Sequence, residues 1–353
     1  MKKFCKLVGL LTLAAVLMFA GCQKKDSAST GSGTSGGIDY GPAIKLAIGS
    51  SSAAEDMITQ AMREMKRLIE ERSGGKITMD LYPASQLGPS VEMMEMVSDG
   101  SLDMMIEADY LSNFGVRNDA ITSIPFLYSS LDDFKRVCNS SLKKECFDEF
   151  LKLNDVRVIA YNWYRPWAIV VSKKPIRTLE DWKGLKIRLP PVEMTIQGWA
   201  KLGVAPTSVA YNETMLALQQ GVVDAGFIVE DAAYTMGWYE ACKYLIQSNQ
   251  FIDALFLYFS EKTYKSMTQV QRDLLVQCAN EAGDWYAAGT KASVDRAYTA
   301  MKAAGIEVIS IDLAEWRRWQ AAVAPVGDEF EAAGKWDSGL YARLKRILAG
   351  QEN

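Results

Sequence analysis

The sequence predicts an α/β protein with mostly parallel sheets, and three observations lead there. Short apolar runs alternate with amphipathic segments through most of the chain. That order is the signature of strands joined by helical crossovers in layered α/β folds. Of the 353 residues, 49% are hydrophobic, enough for one or two globular cores. Finally, no internal repeat and no second long apolar stretch follows the first twenty residues.

The elements follow in order. Ile44 to Ile48 is a short apolar run, and Ser52-Ala53-Ala54-Glu55 has the form of a capping box opening a helix. Ile58, Met62, Met65, Leu68 and Ile69 recur at helical spacing until Gly74-Gly75 stops them. Lys76 to Tyr82 places Ile77, Met79 and Leu81 on one face of a half-buried strand. A helix over Ser90 to Ser98 leads to a strand at Leu102 to Ile106, and one long helix is expected from Leu131 to Leu153. Val156 to Tyr161 and Trp167 to Val171 are β-rich. Thr178 to Gly184 is a turn or short helix before the strand Leu185 to Leu189, which Pro190-Pro191 ends. A helix runs on to about Leu202, Asn212 caps another over Glu213 to Gln220, and Ala225 to Val229 is a strand. From Thr263 the pattern is mainly helical, broken by a strand-like Ile306 to Ile311.

The N-terminus reads as a targeting segment. Lys2, Lys3 and Lys6 precede an apolar stretch, Leu7 to Ala20, too short for a comfortable membrane span. It ends Phe19-Ala20-Gly21-Cys22, a pattern resembling the lipobox of bacterial lipoproteins, in which Cys22 would carry the lipid. The Ser-, Gly- and Thr-rich residues Gln23 to Gly37 then form a tether of roughly 20–25 Å as a coil.

Charge and composition exclude several functions. The net charge of -4 offers no basic surface for nucleic acid. The chain has no histidine, which removes Ser-His-Asp and Cys-His catalysis and His-ligated zinc. Carboxylate pairs and lysine Schiff bases stay open to it, so an enzyme is disfavoured rather than excluded. No phosphate-binding loop surrounds Gly198 or Gly203, and no cofactor or metal is expected. Cys138 and Cys146 would lie about 12 Å apart on a continuous helix, so these thiols, with Cys242 and Cys278, are expected free and buried.

Several segments together resemble the solute-binding proteins of TRAP transporters. They are Gly75-Lys76-Ile77 with Leu81-Tyr82-Pro83-Ala84-Ser85-Gln86-Leu87-Gly88, Gly100 to Met104, and Ile124-Pro125-Phe126-Leu127. The strongest stretch runs from Ser172-Lys173-Lys174-Pro175-Ile176 through Glu180 to Arg188 and Leu202 to Thr207, ending at Asn212-Glu213 and Leu216 to Asp224. The resemblance implies a two-lobed, periplasmic-binding-protein-like fold whose lobes are joined by hinge crossings and a long helix. Residues 1–21 would be the signal peptide and 22–40 the lipid-anchored tether. Residues 41–165, with roughly 254–295, would form one lobe, and 166–253, with roughly 296–353, the other.

The resemblance also implies a site. Arg188 would grip a ligand carboxylate, since guanidinium matches a carboxylate with two parallel bonds and stays charged when dried out; pairing with a protein acid is the alternative. Trp163, Tyr164, Arg165 and Trp167 fall where one lobe crosses to the other, and aromatic walls with an extra cation suit an acid with an apolar body. Either tryptophan could instead be core. Tyr211 matches a pocket-lining aromatic, Glu107 or Asp109 an acidic cleft position, and Ser51 and Ser52 the first strand-to-helix turn. Two departures stand out. Ala168 replaces an arginine common in similar proteins, with Arg165 a possible substitute. Ala225-Gly226-Phe227-Ile228-Val229-Glu230 is more apolar than usual, with Glu230 meeting a ligand amine or capping a helix.

The function so implied is extracytoplasmic capture of a small organic acid, delivered to separate membrane subunits driven by an ion gradient. A sensor protein as the recipient, or a lipid-anchored enzyme using Glu107, Asp109 or Glu230, are the alternatives.

Overall fold

The computed structural model describes residues 38–352. The signal segment, Cys22 and the tether as far as residue 37 lie outside them. From Tyr40 the chain forms one compact unit built on two sheets. In chain order the strands are β1 (Ile44–Gly49), β2 (Ile77–Tyr82), β3 (Met104–Glu107), β4 (Val156–Tyr164), β5 (Ala168–Ser172), β6 (Lys186–Leu189), β7 (Ala205–Ser208), β8 (Ala225–Val229), β9 (Tyr244–Gln247), β10 (Ala254–Ser260) and β11 (Glu307–Ser310). The first sheet has the order β2-β1-β3-β10-β4, the second β11-β9-β5-β8-β6-β7. Five of the nine pairings among the described residues are parallel. The other four all involve β10 or β5, the first strands formed after the chain changes sheets.

The chain crosses between sheets at residues 165–167 and 248–253, and the crossings are bonded to each other. Arg165 N–H donates to the Asp253 carbonyl at 3.0 Å, and Ala168 N–H to that of Phe251 at 2.9 Å. A third connection is the helix Gln269–Ala303. Its first half packs Leu275, Cys278, Ala282 and Tyr286 into the core of the first sheet. Its last turns put Ala297 and Met301 into that of the second.

Local chemistry corrects several expectations. Ser52 does not cap the first helix. Asp56 does, accepting from Ile58 N–H, so the helix begins at Met57. The single helix expected from Leu131 to Leu153 is two, Leu131–Cys138 and Ser141–Asn154, because Ser140 accepts from Lys143 N–H and starts a new helix. Cys138 and Cys146 thus sit on different helices, and all four cysteines among the described residues are free and buried. Asn212 lies inside a short 3-10 turn and caps nothing. Gly198 serves packing: a Cβ there would fall 2.6 Å from Pro125 Cδ.

Three strands were not legible as such. β7 and β9 have only four residues each, and β10 is buried along its whole length and shows no alternation.

Candidate functional site

The two sheets converge on a cleft enclosing about 960 Å³, part of it open to solvent. Arg188 sits in the middle of β6, in register with Thr207 of β7 and Gly226 of β8. Gly226 leaves room for the Trp238 ring, which a Cβ would meet at 3.0 Å. The Arg188 guanidinium lies over that ring at 5.4 Å and over Tyr211 at 5.7 Å. Its Nε donates to the Val209 carbonyl at 2.9 Å. Arg188 is 3% exposed, and no carboxylate among the described residues pairs with it. Burial lowers its pKa to about 10, so it stays charged at neutral pH.

Arg165 also lines the cleft, on the first crossing, but it faces Asp253 at 3.7 Å. Its Nε is buried without a partner. Burial pushes Asp253 up to about 7 against the pull of Arg165. Close by, Thr235 donates to Asp56 at 3.0 Å, tying the start of the helix at Met57 to the segment after β8, and Ser293 of the long helix donates to Asp231 of that segment at 2.9 Å. Burial first, then Asp231, raises Asp56 to about 6.

Glu107 and Asp109 both line the cleft, in different states. Glu107 accepts from Ser51 N–H at 2.6 Å, and burial pushes its carboxyl up. Asp109 is engaged by Lys143, which also reaches Asp119 at 2.5 Å. Burial, then Asp109, raises Asp119 to about 8. Ser51, Tyr211 and Phe227 line the cleft as well, as does Ala168.

Four expected site residues lie elsewhere, among them Tyr164, which packs edge-on against Phe134 at the core. Trp163 is fully buried, donating to the Ala279 carbonyl and stacking on Tyr286 at 6.0 Å, because its strand faces the long helix there. Trp167 is half-buried against the core beside the crossing, not in the cleft wall. Glu230 neither lines the cleft nor caps a helix; it accepts from the Tyr298 hydroxyl at 2.8 Å. Sequence reasoning missed Tyr110, Thr195, Trp199, Gln250, Phe251 and Asp253, all in the wall. Asp253 carried no signal, because it precedes β10 and that strand was not legible. No group of acids and cysteines that could hold a metal occurs among the described residues. No described helix is long and apolar enough to cross a membrane.

Comparison with known proteins agrees with this architecture. A sequence profile of "bacterial extracellular solute-binding protein, family 7" matches residues 48–333. The sialic acid-binding periplasmic protein of Vibrio cholerae is 26% identical over 82% of this chain and 89% of its own. A TRAP periplasmic solute-binding protein from Desulfovibrio salexigens, solved with orotic acid, has a TM-score of 0.80 at 23% identity, covering 89% of this chain and 100% of its own. One from Ochrobacterium anthropi, with bound L-fuconate, has a TM-score of 0.78 at 27% identity, covering 87% and 99%.

Proposed function

The chain belongs to family 7 of the bacterial extracellular solute-binding proteins, the solute receptors of TRAP transporters, and from that premise we propose that it captures a small organic acid through one carboxylate held by Arg188. Members of this family bind solutes and are not enzymes. The observation that carries the reading is a guanidinium 3% exposed, in the wall of the cleft, with no protein acid paired to it. Leaving such a charge unpaired is costly unless an anion meets it. Relatives that bind sialic acid, L-fuconate and orotic acid support an acid as the ligand.

Charge count in the cleft favours a monoanion. Arg165 is held by Asp253, and Asp109 by Lys143. Glu107 would repel a second carboxylate approaching the first sheet. Closure follows from differential affinity: the ligand meets Arg188 on the second sheet and Ser51 and Glu107 on the first, which favours the form with both in contact. Membrane subunits on separate polypeptides would then take the ligand. The lipobox-like Phe19-Ala20-Gly21-Cys22 supports a lipid anchor at Cys22, holding the body outside the cytoplasm on the membrane surface.

Thermal unfolding of the purified full-length chain in mild detergent, against a panel of organic acids, tests this. An acid at a hundred times its Kd raises the transition by several degrees, for about 2.7 kcal/mol of stabilisation. Arg188→Met, losing about 2 kcal/mol of affinity, cuts that shift to about a third. A panel with no active acid, or a shift that Arg188→Met leaves unchanged, refutes the assignment.

A further inference from the structure

One stretch of the cleft wall is a cluster of aromatic rings, with Thr195 and Gln250 beside it. On the second-sheet side, Phe227 stands between Trp199, 6.4 Å away at 82°, and Phe251, 6.1 Å away at 62°. All three rings line the cleft. From the first sheet come Ser51 and Glu107, the latter with no Lys or Arg paired to it among the described residues. Arg188 and Phe227 reach the space from opposite faces of the second sheet. Arg188 shares a face with Gly226, its register partner, and Phe227 is the next residue along β8. A carboxylate on Arg188 therefore leads, across the ends of β6 and β8, to a row of ring edges and faces.

That row discriminates among acids. Of the three rings only Trp199 carries a hydrogen-bonding group, an Nε1–H without a partner, so a chain of hydroxyls laid along the rings would be left mostly unpaired and penalised. A flat π-system meets the same wall with edge-to-face contacts that add to its burial. At position 168, Ala168 brings only a methyl group to the cleft. On the first-sheet side Glu107 is an acceptor that the ligand's other edge can meet.

We infer that the bound acid is an aromatic or heteroaromatic monocarboxylate with a hydrogen-bond donor on the edge opposite its carboxylate, and that Phe227 selects it over polyhydroxylated acids. This inference rests on the carboxylate site proposed above.

Calorimetric titration of the full-length chain with 4-hydroxybenzoate and with D-galacturonate tests it. The expected result is binding of the aromatic acid at least about tenfold tighter, a difference of 1.4 kcal/mol. Phe227→Leu keeps an apolar side chain of similar size without the ring. It should weaken 4-hydroxybenzoate about fivefold and leave D-galacturonate unchanged, with thermal unfolding confirming that the variant folds. Tighter binding of D-galacturonate, lost in Arg188→Met, overturns this inference and leaves the carboxylate site standing. Equal weakening of both acids by Phe227→Leu also overturns it. If neither acid binds to folded protein, this inference fails, and the carboxylate site is judged separately by the wider panel and Arg188→Met.

Discussion

Arg165 and Arg188 are two arginines in one cleft wall, and their surroundings differ in kind. Arg165 lies where the chain changes sheets, opposite Asp253, with Asp56 and Asp231 close enough to act on its charge. Arg188 lies in a strand, over two aromatic rings, with no acid paired to it. The first arginine completes a set of charges that the fold supplies itself. The second has no such partner among the described residues. Residue type is the same at the two positions, so on the proposed reading the partner decides which one serves the hinge and which one the ligand.

The same substitution at both positions should break the comparison in opposite directions. Arg165→Met leaves Asp253 buried without its cation and should cost about 3 kcal/mol or more of stability at pH 8. The loss should shrink below pH 7, where Asp253, already raised to about 7 by burial, takes up a proton. Denaturant unfolding at the two pH values measures both effects, and a pH-independent loss would detach Asp253 from the explanation. Arg188→Met should cost about 2 kcal/mol of ligand affinity yet leave the unliganded protein as stable as before or about 1 kcal/mol more so. Destabilisation of the unliganded variant would mean that Arg188, too, serves the fold.

A smaller effect sharpens the account of the hinge corner. Asp56 binds its proton more tightly in the folded protein, at about 6, than an ordinary aspartic acid at 3.8. Its protonation therefore stabilises the fold fully below pH 4, and this contribution is lost as the pH rises through 6. Asp56→Asn keeps a helix cap and stays neutral. It should match the unmodified protein at pH 4 and exceed it by on the order of 1 kcal/mol at pH 8, Asp231 sharing the same proton. Melting temperatures across that range would show it, and a constant difference would count against the shared proton.

The sequence made the layers legible wherever an element had a period and a stop. Ile77, Met79 and Leu81 alternate, and Gly74-Gly75 closes the helix before them. It failed where the signal was competitive or absent. Ser52 and Asp56 are both good caps, and only the path of the chain out of β1 selects Asp56. β10 is apolar on both faces, so nothing in its pattern distinguishes strand from buried helix. Arg188, Arg165, Tyr211, Phe227, Glu107, Asp109 and Ser51 were placed in the cleft by motif and do line it. Trp163 was not separable from them, because an aromatic next to a hinge has the same appearance whether it faces the cleft or the long helix. The pairing of Arg165 with Asp253 spans 88 positions and belongs to the topology, not to any local pattern.

The helix Gln269–Ala303 has a consequence for how this molecule changes over time. At about 52 Å it contributes Leu275 and Ala282 to one core and Met301 to the other, and a Cβ on its Gly283 would fall 2.6 Å from Trp163. Neither lobe therefore owns a complete interior. A lobe could not be exchanged as a module between two such receptors without carrying half of a helix fitted to a stranger. New ligand preferences must then arise by point changes in the cleft wall, with the scaffold inherited whole.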